Sequence, residues 1–458
     1  MPPPVACPPV NVFGSSGVRG VANEELTPRF ALDIAQAAGA VLDADRVALA
    51  RDTRRTGEML ADSVASGLAS VGCAIDRLGV LPTPGLQAYC ERNGVPGVMV
   101  TASHNPPEYN GIKLVGSTGV ELTRDRLDEV EIRLDADPAR VAWDRTGESR
   151  RVDGARRAYR EQLLAAVDTE LVAAADLTVA IDPGHGAGSL TSPDFFRELG
   201  CSVVTVNAQP DGRFPGRDPE PVAEHLDDLA RLTRTSDADL GIAHDGDADR
   251  AIFVDETGTF VEGDAALAAL AAAELDAGDT AVSAVNASQR LVDVADAAGA
   301  DLRLTPIGST YLITAIRELQ QAGETVPIAG EGNGGILFPD YRIARDGAYT
   351  AARFCELLAD QSASDLVADY DDYHNVRYNV TYESEAERAA MLEAIGLAAE
   401  DADADLDTTD GYRLDYGDAW VLARPSGTEP LVRVYAEARE KARAEELGER
   451  MVAAIENA

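Results

Sequence analysis

A chain of 458 residues is too long for one hydrophobic core and predicts three or four domains. Apolar residues make up 45% of it, enough for several cores, which excludes a disordered chain. The 79 acidic against 40 basic residues leave a net charge of −39, which argues against nucleic acid and anionic membrane as partners. Lys113 and Lys441 are the only lysines, so the positive charge is nearly all arginine, and the acidic excess fits a salt-rich, halophilic cytoplasm. In such a medium the Debye length falls from about 8 Å near 0.15 M to about 3 Å at 1 M. A negative surface then need not repel an anionic substrate.

From Thr27-Pro28 the pattern alternates between helix and strand. "RVALA" at 46–50 reads as a short buried strand, 57–71 as a helix ending at Gly72, and 97–101 as a strand running into "TASHNPPEYNGIK". The polar stretch from Arg145 to Arg157 reads as a linker. A second α/β unit follows, with strands in "DLTVAIDPGHGAGS", "CSVVTV" and "DLGIAHDGDADR". A hairpin pattern at "RAIFVDETGTFVEGD" opens a third, which runs through "TAVSAV" and "DLRLTPIGS" to "VPIAGEGNGG". The last stretch differs: one strand, one helix, the acidic loop "EDADADLDTTDG", two strands flanking "RPSGTEP" and a final helix. The expected domains are 1–150, 151–254, 255–368 and 369–458. The fold class is α/β: three similar domains with mixed sheets plus a C-terminal α+β domain.

The five cysteines, Cys7, Cys73, Cys90, Cys201 and Cys355, lack CxxC spacing and read as reduced thiols. "MPPPVACPPV" has no basic region followed by an apolar core, and no apolar run reaches the ~18 residues of a membrane span. A cytoplasmic protein is expected.

Five loops could carry chemistry. In "HDGDADR" the carboxylates of Asp245, Asp247 and Asp249 alternate, and a hard cation such as Mg²⁺ would offset their repulsion. A solvated acidic turn is the plain alternative. An EF-hand is excluded because Arg250 stands where that loop requires glycine and a strand precedes it. Ser103 beside His104 does not make a hydrolase elbow, since GxSxG is absent. Lys113 stands out because arginine has replaced lysine elsewhere, and lysine offers an exchangeable proton or a compact charge that arginine does not. Chance retention is the competing account. "RPSGTEPLVR" brings Arg424, Ser426, Gly427, Thr428 and Arg433, a donor set suited to phosphate. "GEGNGG" offers Glu331 and Asn333 for sugar hydroxyls, and "FGSSGVRG" places Arg19 on another glycine-rich loop that is neither a Walker A sequence nor a dinucleotide fingerprint.

In chain order "FGSSGVRG", "TASHNPPEYNGIK", "DGDADR", "GEGNGG" and "RPSGTEP" resemble the signatures of the α-D-phosphohexomutase superfamily, from residue 13 to 430. The resemblance implies four domains around a central cleft and a phosphoserine at Ser103. Mg²⁺ would be held by that phosphate with Asp245, Asp247 and Asp249. Arg19, His104, Lys113 and Arg250 would lie near the phosphoserine, with Lys113 as general acid or base. Glu331 and Asn333 would hold the sugar, and Arg424, Ser426, Gly427, Thr428 and Arg433 the phosphate that is not reacting. The implied reaction interconverts hexose 6-phosphate and hexose 1-phosphate through a hexose 1,6-bisphosphate, which also acts as activator. Many bacterial relatives carry serine and histidine where this chain has Asn333 and Gly335; the "GEGNGG" form is similar to archaeal members. The expected substrate is glucosamine phosphate, with phosphomannomutase/phosphoglucomutase as the alternative, a non-catalytic sugar-phosphate sensor as the alternative of another class, and a hydrolase as a third. A monomer or homodimer is expected.

Overall fold

The computed structural model describes residues 12–14, 17–370, 372–426 and 430–457. They form two compact units: one runs to Phe260 and takes in Tyr341–Ala363, and the other comprises Val261–Asp340 and Ser364–Ala458.

The first unit carries two mixed sheets. One has the strand order Val18–Val21, Tyr109–Val115, Gly97–Val100, Arg46–Arg51, Ala74–Val80 and Ser149–Arg151. Arg46–Arg51 runs parallel to Gly97–Val100 and to Ala74–Val80, whereas Tyr109–Val115 runs antiparallel to both of its neighbours. "RVALA" is apolar on consecutive positions because both faces are covered. Val47 and Leu49 pack with the helices Pro28–Leu42 and Gly57–Ser70, while Ala48 and Ala50 face Leu86, Tyr89 and Cys90 of the helix Thr83–Asn93. Thr27 caps the first of these helices, its hydroxyl accepting from the Phe30 N–H.

The linker expected at 145–157 supplies structure instead. Ser149–Arg151 adds to the sheet through main-chain pairing with Ile75–Arg77, a bond indifferent to how polar the side chains are, and a helix begins at Ala155.

The second sheet sets Ile252–Asp255, Leu240–Ala243, Thr178–Asp182 and Ser202–Thr205 side by side, the last three parallel. Its central strand ends at Ala243, immediately before the acidic loop.

In the other unit Asp301–Thr305, Thr280–Ala284 and Ala329–Glu331 run parallel, and Ala329–Glu331 turns back on Gly335–Phe338 as a hairpin. The alanine-rich stretch at 265–275 lies in the buried helix Gly263–Glu274. The C-terminal sheet is wholly antiparallel, in the order His374–Thr381, Leu431–Ala438, Ala419–Pro425, Tyr412–Asp415 and Asp405–Asp407. Met391, Ile395, Leu447 and Met451 of the helices Glu385–Glu400 and Lys441–Glu456 cover one face of it. The expected acidic loop therefore contains a short edge strand. Cys73, Cys90, Cys201 and Cys355 are buried free thiols, and Cys7 lies outside the described residues. No helix among the described residues is long and apolar enough to cross a membrane.

Candidate functional site

Both loops of the first unit leave the C-terminal ends of buried strands, where open α/β sheets place ligands. After Val100 the chain turns sharply, and Ser103 adopts a left-handed φ of 52°, unusual for a residue with a Cβ. A brace that sequence reasoning missed holds this turn. Arg54, fully buried, donates to the carbonyls of Ser103 at 2.8 Å, Asn105 at 2.6 Å, Pro106 at 2.6 Å and Tyr109 at 2.9 Å. Asp52 anchors Arg54 through an Nε–Oδ2 bond of 3.0 Å, and Asp52 also accepts from the Thr101 hydroxyl at 2.7 Å. The Thr101 hydroxyl in turn accepts from the Ser103 N–H. The buried charges are thus paired and hydrogen-bonded, as buried ions must be.

The Ser103 hydroxyl donates to Asp245 Oδ2 at 2.5 Å. Gly246, in the acidic loop, lies so close that a Cβ there would sit 2.6 Å from the Ser103 carbonyl oxygen. Asp245, Asp247 and Asp249 present oxygens within 4.8 Å of one another, and all three are buried. Burial and the two neighbouring carboxylates push Asp245 up to about 8. Burial also acts to raise Asp247, but the Lys113 ammonium and the Thr83 hydroxyl more than offset it and hold that carboxylate well below the usual range. Asp249 is likewise lowered, its burial overcome by Arg345 and Lys113.

Lys113 Nζ bridges Asp247 at 3.0 Å and Asp249 at 3.1 Å. Burial works against its charge, yet the two carboxylates hold it in the ammonium form, raised above a free lysine. Arg345, which sequence reasoning also missed, donates to Asp249 Oδ2 at 2.7 Å. Among the described residues, Asp247 Oδ1 and Asp249 Oδ1 are buried without a hydrogen-bond partner. Two orphaned anionic oxygens beside a third carboxylate are an all-oxygen donor set that fits a hard divalent cation.

Arg250 reaches His104, its Nη2 2.9 Å from Nδ1, while Nδ1 stands 3.5 Å from the Ser103 hydroxyl oxygen. The Arg250 charge first, and burial next, keep His104 neutral, its pKa far below that of a free imidazole, so its Nδ1 accepts from Arg250. Arg19 Nη1 donates to Asn105 Oδ1 at 2.6 Å; burial lowers its pKa, with Arg250 and Arg345 pulling the same way and Asp247 and Asp249 opposing. Behind the loop His244, also unforeseen, donates from Nδ1 to the Arg250 carbonyl at 2.8 Å, and burial lowers it to about 4. Ser103, His104, Lys113, Arg19, Arg250 and the three aspartates are thus neighbours.

In the other unit the Glu331–Gly335 turn closes the hairpin, with Gly334 at φ 83° and Gly335 N–H bonded to Asn333 Oδ1 at 3.0 Å. Glu331 is buried. Asp264 was not foreseen: its carboxylate fills the space a Cβ on Gly332 would take. Arg424 and Arg433 are cross-strand partners, and Arg424 pairs with Asp410 at 3.0 Å. The Ser426 N–H donates to the Leu431 carbonyl at 2.8 Å. Gly427 and Thr428 lie outside the described residues.

Known proteins carry the same plan. Family models described as phosphoglucomutase/phosphomannomutase, alpha/beta/alpha domains I, II and III, match residues 10–140, 157–258 and 262–373, and the C-terminal domain of that family matches 378–454. The chain is 41% identical to a phosphoglucomutase/phosphomannomutase of Thermococcus kodakarensis over 98% of its own length and 99% of that protein's. It is 40% identical to a probable phosphoglucosamine mutase of Methanopyrus kandleri, over 96% of each. A crystal structure of a phosphoglucomutase/phosphomannomutase family protein from Burkholderia thailandensis superposes with a TM-score of 0.85 at 26% identity, covering 98% of this chain and 97% of that one. The chain belongs to the phosphoglucomutase/phosphomannomutase family, a phosphohexomutase of the isomerase class that moves a phosphoryl group within its substrate.

Proposed function

We propose that the protein is a phosphoglucosamine mutase that carries the transferable phosphoryl group on Ser103. The observation that carries this reading is the Ser103 hydroxyl, held 2.5 Å from Asp245 beside the two orphaned oxygens of Asp247 and Asp249. In the forward half-reaction the oxygen of a hexose phosphate hydroxyl bonds to the phosphorus on Ser103 as the Oγ–P bond breaks, giving a hexose 1,6-bisphosphate. After that intermediate turns round, its other phosphate returns to Ser103. The proton lost by one sugar hydroxyl is regained by the other sugar oxygen, so one group can serve both halves. Lys113, held as ammonium, is assigned to give its proton to the departing oxygen, Ser103 Oγ in the first half and the sugar oxygen in the second, and to regain one from the attacking hydroxyl; His104 is placed second. Arg19 and Arg250 take up charge on the transferring group, where most of the catalysis of phosphoryl transfer resides.

Mg²⁺, held by Asp245, Asp247, Asp249 and an oxygen of the Ser103 phosphate, would supply further charge neutralisation to that group. Glu331 and Asn333 would hold sugar hydroxyls, and Arg424, Ser426, Gly427, Thr428 and Arg433 the non-reacting phosphate. The domain breaks at 150, 254 and 368 belong to the same reading. Relatives of nearly equal identity are named for glucosamine and for mannose and glucose phosphates, so phosphomannomutase/phosphoglucomutase is the second reading.

The test is a coupled isomerisation assay in high salt with Mg²⁺ and a trace of hexose 1,6-bisphosphate, comparing glucosamine, mannose and glucose phosphates. Glucosamine phosphate should be turned over fastest, and Ser103→Ala should lose at least ~10³-fold in kcat. A Ser103→Ala enzyme with wild-type turnover would overturn the phosphoserine, and faster turnover of mannose or glucose phosphate would overturn the substrate.

A further inference from the structure

Away from the phosphoserine loop the first unit holds a cleft of about 790 Å³, the size of a small-ligand site. It opens at the C-terminal ends of two adjacent parallel strands, Arg46–Arg51 and Ala74–Val80, and is closed by the start of the helix Ala155–Ala165 and by Ser189. Six of its lining residues are arginines: Arg51, Arg77, Arg151, Arg156, Arg157 and Arg160. Only three lining residues, Glu58, Asp153 and Asp194, are acidic. In a chain with nearly two acids for every base, that concentration of guanidinium groups is local.

Five of these arginines hold carboxylates: Arg51 pairs with Glu58, Arg77 with Asp62, Arg151 with Asp153, Arg157 with Glu161, and Arg160 with Glu198. Exposed pairs of this kind are worth little, and a phosphate can displace them. Arg156 has no carboxylate partner among the described residues; its Nε donates to the Val80 carbonyl at 3.0 Å, and burial together with the nearby Arg151 charge lowers its pKa. The helix it belongs to starts at Gly154 with no side-chain cap and no acidic residue in its first turn, so its free N–H groups and dipole add positive potential on the same side. The Ser189 hydroxyl, in the lining, is buried without a hydrogen-bond partner among the described residues.

We propose that this cleft is a second anion site, taking a small molecule that carries a diphosphate group. Two linked phosphates match a set of guanidinium forks around an uncapped helix start better than one phosphate does. The ligand is distinct from the hexose phosphate, because Ser103, Lys113 and the acidic loop are absent from the lining.

The test is calorimetric titration of the full chain with inorganic pyrophosphate in about 0.1 M salt with EDTA, where screening is modest. One pyrophosphate should bind per chain, and excess glucose 6-phosphate should leave its affinity unchanged. The double substitution Arg151→Glu and Arg156→Glu should weaken it at least tenfold, while melting temperature and mutase rate stay near those of the wild type. No binding, displacement by glucose 6-phosphate, or equal binding by the double variant would each overturn the proposal. A parallel titration with ADP identifies the carrier: at least tenfold tighter binding than pyrophosphate marks a nucleotide, and equal binding marks the bare diphosphate group, either of which supports the site.

Discussion

Lys113 shows how one side chain sets the charge of a site. Its ammonium contacts two of three clustered carboxylates and is itself closed off from solvent. Removing one partner of a buried ion pair costs about 3–5 kcal/mol because the other charge is left uncompensated. Lys113→Met should therefore lose about that much stability in denaturant unfolding with EDTA present, and a Met variant as stable as the wild type would exclude the counter-ion role. Lys113→Arg keeps the charge but brings a wider planar fork into a closed slot, so it should fold and lose ~10-fold or more in kcat. The pairing with aspartates was not legible in the sequence, although the singularity of the residue was. Arg54 gave no such signal, because an arginine in "RDTRRTGE" is indistinguishable from the solvated arginines that fill the chain. Only the fold brings its guanidinium under four carbonyls.

Elements were legible where a buried apolar run ended in an unusual loop, as at 97–100 and 240–243, since that pattern requires a covered strand and little else fits it. They were missed where backbone pairing, not side-chain pattern, makes the strand, as at Ser149–Arg151 and Asp405–Asp407. The contact of the acidic loop with the serine loop is of the same kind. Gly246→Ala would drive a methyl to 2.6 Å from the Ser103 carbonyl. Relief requires one loop to shift, so stability should fall by about 1–3 kcal/mol and kcat by ~100-fold, with hexose phosphate KM little changed. Wild-type kcat in that variant would show that the two loops do not need their close approach.

The helix Gly263–Glu274 carries a second constraint. Burial, with Glu437 and Glu262 against Arg290 and Arg377, raises Asp264 to about 7. A carboxyl raised in the folded state binds a proton that the unfolded chain has already lost, so stability declines from about pH 4 to about pH 7 and then levels. Asp264→Asn should remove that slope, gaining on the order of 4 kcal/mol at pH 8 relative to pH 4 when the two unfolding curves are compared. An unchanged slope would show that the carboxyl titrates normally.

At the scale of the whole molecule the net charge of −39 sets a different balance. Cores and sheets form despite it, because acids such as Asp401, Asp403 and Asp405 lie at the surface, while the apolar clusters remain closed. Like charges on a compact body repel over the Debye length, about 10 Å at 0.1 M and about 3 Å at 1 M, whereas the unfolded chain relieves the repulsion by expanding. Stability should therefore rise steeply with KCl up to about 1 M and flatten beyond it, as screening becomes shorter than the spacing between surface charges. Most ion pairs at the surface, such as Arg29 with Asp33, are too exposed for their loss in salt to reverse the trend. The buried Asp52–Arg54 pair is out of reach of the ions and should hold the serine loop equally well at both ends of the range. Melting curves in KCl and NaCl at matched concentration give the check: coincident rising curves mark screening, while a melting temperature that falls with salt would mean that surface pairing outweighs the repulsion.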